Sequence, residues 1–180
     1  MSSKTTRKLV LAALFTALTC VATMVIQIPS PTQGYVNLGD CFVLLSGWVL
    51  GPVYGTLAAG IGSALADALT GYFHYVPGTF IIKAAMALIA WALAKALTRA
   101  FGGKRTLARI VSAVVAELTM VVGYFFYAGL ILGKGLGALG AAASIPSNLV
   151  QGVVGAIVAL LLSFVVTRYD LIGKFGLKEV

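Results

Sequence analysis

The chain has 180 residues, of which 60% are hydrophobic and 10% charged, and a mean hydropathy of +1.02. Soluble domains carry roughly 25% charged residues, so a water-soluble fold is excluded: it could not hide this much apolar surface, whereas lipid can solvate it. The net charge of +8 does not point to nucleic acid, because the basic residues sit at the ends of apolar runs, where membrane topology places them.

The first apolar run, 9–28, follows Lys4, Arg7 and Lys8. It is longer than the ~7–15 residues of a signal-peptide core and reads as a retained helix. A polar stretch follows, with Pro29, Pro31, Gly34 and Gly39, long enough to cover a site. The next runs are 41–50 and 52–70, parted by Gly51 and Pro52. Proline breaks a helix interior but suits a helix start, so a tight inner hairpin is expected there. Runs 76–100, 107–132 and 139–168 complete the set. They are continuous rather than alternating, which argues against a β-barrel. The expectation is an all-α integral membrane fold, one domain over 1–180 with six transmembrane helices. The basic residues orient it. Lys4, Arg7 and Lys8 precede the first span; Lys95, Arg99, Lys104, Arg105 and Arg109 flank the loop after the fourth; Arg168, Lys174 and Lys178 follow the last. Both termini are therefore expected in the cytoplasm, with loops 29–39 and 71–75 outside.

Motifs for chemistry are absent. Gly135, Gly137 and Gly140 match a dinucleotide fingerprint in spacing but follow no strand. The stretch 129–134 falls one residue short of a P-loop and lacks the Ser or Thr after Lys134, so ATP hydrolysis by that route is not expected. His74 is the single histidine, and no metal-ligand cluster or Ser/His/Asp set can be assembled. Cys20 and Cys41 read as packing residues. No enzyme, metal or cofactor is expected.

Ionisable groups inside spans are costly and commonly functional. Asp67 and Lys83 fall at similar depth and are expected to pair, stapling the third and fourth spans. Glu117 is mid-span, with Met120, Tyr124 and Tyr127 above it at helical spacing: a pocket wall, or an acid bonded to another helix. Asn148 and Gln151 share a face near the outer end of the last span, beside Ser144 and Ser147. Amides donate and accept, which suits a heteroaromatic ring, although interhelical bonding would use them equally. Tyr35, Asn37 and Asp40 come from the first loop. The candidate substrate-binding set is thus Tyr35, Asn37, Asp40, Lys83, Glu117, Tyr124, Tyr127, Asn148 and Gln151, converging under one outer loop. Small residues repeat at Gly47, Gly51, Gly55, Ala59 and Ser63, consistent with close helix packing, and at Ala13 and Ala17, a smooth face where a partner could dock.

The stretches GYVNLGD (34–40), LLSGWVLGP (44–52), GIGSALAD (60–67) and YVPGTFIIK (75–83) resemble the substrate-binding S components of energy-coupling-factor (ECF) transporters, most closely their riboflavin-transporter-type branch. Ala13 and Ala17 fit that family's alanine motif on the first helix. The resemblance implies a six-helix subunit of a bacterial cell membrane that binds a water-soluble vitamin at its outer side. It also implies a transmembrane coupling subunit, docking on Ala13 and Ala17, and two ATP-binding cassette ATPases as partners. The side-chain mixture suits a pyridoxine, pyrimidine-precursor or riboflavin type of ligand, with pantothenate also open. The alternative is a stand-alone ion-coupled secondary transporter, with Glu117 and Asp67 as proton sites.

Overall fold

The computed structural model describes residues 3–29, 35–137 and 139–175; residues 30–34 of the first loop and Lys178 lie outside the described residues. Helix α1 spans Ser3–Val25, α2 Gly39–Leu69, α3 Val76–Ala100, α4 Arg105–Phe126 and α5 Ile145–Arg168. Helix α4 runs on through a π-helical turn, Tyr127–Ile131, and a 3-10 turn, Ala141–Ser144, leads into α5. Two short strands, β1 (Ile28–Pro29) and β2 (Tyr35–Val36), pair antiparallel above α2. Among the described residues, five helices are long and apolar enough to cross a membrane.

Helix α2 is not one rod. Gly51 has φ 79° and ψ −166°, outside the helical region, and Pro52 follows. In a straight helix residues nine apart stand roughly 13 Å from each other. Here the Ser46 hydroxyl lies 3.0 Å from the Gly55 carbonyl oxygen, so the chain reverses at Gly51. Only glycine adopts that backbone without strain. The reversal gives a first arm of residues 39–50 and a second of 52–69. A Cβ on Gly55 would strike the Ser46 carbonyl, and one on Gly47 the Ala87 carbonyl of α3. The small-residue series therefore packs the hairpin within the molecule.

The first arm is the centre of the bundle. Val43, Leu44, Trp48, Met86 and Met120 are all but inaccessible. The Trp48 indole N–H donates to Ser112 Oγ at 3.1 Å, satisfying a polar group that lipid or core would leave bare. The second arm packs between α1 and α3: Gly62 faces Thr16 and Thr19, and Gly60 faces Phe80. Helix α1 buries Leu11, Phe15, Thr19 and Thr23 at four-residue spacing, the stripe expected of a helix docked along one side. Helix α2 ends with Gly71 at φ 86°, and Tyr72 N–H reaches back to the Asp67 carbonyl at 2.8 Å, a Schellman closure that turns the chain into α3. Outward faces stay apolar, as at Leu161 and Phe164, and lipid is their solvent.

Candidate functional site

The reversal of α2 brings both its ends to one side of the bundle, under the β1–β2 strands. Asp40, in the first turn of α2, is fully buried. Lys83 Nζ from α3 donates to Asp40 Oδ1, and Gln151 Nε2 from α5 donates to Asp40 Oδ2 at 2.6 Å. The Gln151 carbonyl oxygen then accepts from the Asn37 backbone N–H at 3.0 Å, and Asn37 Oδ1 accepts from Gly39 N–H at 2.8 Å. One carboxylate thus ties α2, α3, α5 and the end of the first loop together. Every strong partner of that buried charge is a hydrogen-bond donor, the condition under which a buried ion is tolerated.

The pairing of Asp67 with Lys83 expected from depth does not form. Lys83 binds Asp40, and Asp67 accepts from the Tyr35 hydroxyl at 2.6 Å through Oδ1. The reversal at Gly51 makes both acids candidates for the one buried cation. Asp40 is wholly enclosed, whereas Asp67 already has a phenol donor from the loop. Burial and the Asp67 carboxylate both push the Tyr35 phenol above its ordinary range, so it remains a donor.

Above this network lies a cavity of ≈ 40 Å³. Tyr35 and Asn37 from the loop, Asp67 from α2, Tyr75 from the turn before α3, Thr79 from α3, Tyr124 from α4, and Asn148 and Gln151 from α5 contribute most of its wall. Ala128 of the π turn and Ser144 complete it. The Thr79 and Tyr124 hydroxyls are 3.0 Å apart. Tyr75 and Tyr124 meet edge to face with centroids 6.1 Å apart, and Lys134 Nζ stands 5.2 Å from the Tyr75 ring centre. Asp67 Oδ2 is buried without a hydrogen-bond partner among the described residues.

Of the nine residues expected from sequence, five line the cavity: Tyr35, Asn37, Tyr124, Asn148 and Gln151. Asp40 and Lys83 lie beneath it and hold Gln151 and the loop. Tyr127 shares a helix with Tyr124 but not its direction. Its hydroxyl donates to the His74 carbonyl at 2.8 Å, and its ring lies over Gly78. Three residues of regular helix rotate Tyr127 about 60° from Tyr124, which turns its ring toward Gly78 of α3. Glu117 faces Gly152 and Gly155 of α5 instead of the cavity wall, its oxygens unpartnered among the described residues. Asp67, Tyr75, Thr79, Ala128 and Ser144 were not in the expected set. Tyr75 and Thr79 precede Lys83 at four-residue spacing, a buried stripe on α3 that the sequence carries. Ala13 and Ala17 are both exposed on α1.

Similarity to known proteins agrees with this architecture. A Pyrococcus woesei protein, described as an uncharacterized protein in a gap 3′ region, is 34% identical over 149 residues, which is 82% of this chain and 93% of that protein. The thiamine precursor transporter HmpT of Lactococcus lactis subsp. cremoris (strain MG1363) is 28% identical over 177 residues, 97% of this chain and 96% of the relative. A solved structure of the S component of a bacterial ECF transporter superposes with a TM-score of 0.69 at 22% identity, covering 92% of this chain and 98% of that one, which establishes a common fold. The profile of ECF-type riboflavin transporter S components matches residues 3–168, nearly the whole membrane domain, and the chain therefore belongs to that family.

Proposed function

We propose that this multi-pass membrane protein captures a flat, heteroaromatic, water-soluble vitamin at the outer face of a bacterial cell membrane and delivers it to an ECF importer. The observation that carries the reading is the cavity wall, where the rings of Tyr75 and Tyr124 share one lining with the amide of Asn148. Aromatic faces stack on a ring, and an amide reads its mixed edge. The family profile is named for riboflavin and one relative for a thiamine precursor, both heteroaromatic, which fits the same wall. A vitamin-sized pocket usually measures ~300 Å³ or more, against ≈ 40 Å³ here. Loading therefore moves wall residues outward.

In this reading the two arms of α2 each cross, which gives six crossings with both termini cytoplasmic. The chain does no chemistry on its cargo. A transmembrane coupling subunit docks on the exposed Ala13 and Ala17 face, and two ATP-binding cassette ATPases supply the energy. The test is uptake of labelled vitamin in cells that carry this chain with or without the ECF subunits. Uptake only in their presence is expected. Equal uptake by the chain alone would replace this reading with a stand-alone secondary transporter.

A further inference from the structure

We infer that Asp67 selects the ligand: the cavity takes nitrogen heteroaromatics that present an N–H donor edge, such as an amino group beside a protonatable ring nitrogen, and rejects vitamins that carry a carboxylate. The inference rests on the proposed capture of a ring in this cavity and names the edge that such a ring must offer.

Three observations support it. Asp67 is 95% removed from solvent contact, being 5% exposed, and it lines the cavity. Its Oδ1 is occupied by the Tyr35 hydroxyl, but its Oδ2 has no hydrogen-bond partner among the described residues. A carboxylate oxygen accepts and cannot donate, so whatever satisfies Oδ2 must bring a proton. Of the nearby cations, Lys83 is bound to Asp40 and Lys134 donates to the Tyr75 hydroxyl. An anionic ligand would be placed beside a buried acid, a like-charge contact that is costly in a desolvated site. A ring with an amine next to a protonated nitrogen meets Oδ2 with a charge-assisted bond while its faces contact Tyr75 and Tyr124.

Calorimetric titration of the purified protein in detergent tests this. The probes are an amino-hydroxymethylpyrimidine, its methoxy counterpart in which a methoxy group replaces the amine and leaves only acceptors on that edge, riboflavin, pyridoxine and pantothenate. Wild type is expected to bind the aminopyrimidine more tightly than the methoxy compound by about one to two decades, and not to bind pantothenate. Asp67→Asn keeps an oxygen for Tyr35 and offers N–H where Oδ2 was, so the preference should reverse toward the methoxy compound. Unliganded thermal stability near wild type would show that the variant folds. Should that variant fail to fold, the wild-type ranking of amine, methoxy and carboxylate probes decides alone. Pantothenate binding, or an amine preference unchanged by Asp67→Asn, would overturn the inference. If a ring such as riboflavin binds with equal strength to wild type and Asp67→Asn, yet is lost in Asn148→Ala, the capture function stands and the inference fails. If no ring binds, the capture reading itself falls.

Discussion

Asp40 and Lys83 form the most enclosed ion pair among the described residues, with 0% and 3% of their side chains exposed. Removing one partner of such a pair leaves a bare charge and costs about 3–5 kcal/mol, whereas removing both can be nearly neutral. Lys83→Met should therefore lower the melting temperature sharply, and adding Asp40→Asn should recover part of the loss; thermal unfolding in detergent reads both. If the double variant were no better than Lys83→Met, the pair would not be the stabilising unit. Asn148→Ala should behave differently, with stability near wild type and ligand affinity weaker by about one to two decades, since it removes a cavity amide that holds no part of the Asp40 network. The residue types of this site could be read from the sequence, because charged and amide groups inside apolar runs are rare. Their partners could not. Depth along the sequence pairs Lys83 with Asp67, and only the three-dimensional reversal of α2 brings Asp40 to it instead.

At the scale of elements, Gly51 is the hinge on which the site depends. Its φ of 79° with ψ −166° is accessible to glycine and strained for any side chain, at about 1–3 kcal/mol. Gly51→Val should destabilise the protein by at least that much and also weaken ligand binding, because Asp40 and Asp67 sit at opposite ends of the hairpin. Loss of stability with binding unchanged in the folded fraction would mean that the hairpin does not position the site. The turn at Gly51-Pro52 was legible from proline and glycine chemistry. The boundary between Phe126 and the π turn was not, because hydrophobicity continues smoothly across it. Helix α1 gives a third case. Its inner stripe is Leu11, Phe15, Thr19 and Thr23, while Ala13 and Ala17 face outward. Ala13→Trp should leave ligand affinity intact and abolish uptake in cells with the ECF subunits, since a bulky side chain blocks close helix approach. Parallel loss of affinity would place that face in internal packing instead.

At the scale of the whole molecule, the proposal is a membrane capture subunit with one outer cavity and an inner basic surface. Cysteines at His74 and Lys104, exposed in the turns before α3 and α4, should label from opposite sides of the membrane, His74 from outside. The apolar runs and the basic residues make the membrane fold and its orientation legible, because lipid imposes length and charge rules on every span. The ligand is not legible in the same way, since it depends on angles between five helices rather than on any one of them. The most direct measurement of the central claim is a thermal-shift panel of vitamins on the purified protein and on Asn148→Ala. A ligand at 100 times its dissociation constant stabilises the folded state by about 2.7 kcal/mol. The account predicts that one heteroaromatic vitamin raises the wild-type melting temperature by several degrees and leaves Asn148→Ala nearly unmoved at the same concentration. A panel in which no vitamin shifts the wild type, or in which the shift is the same in Asn148→Ala, would contradict it.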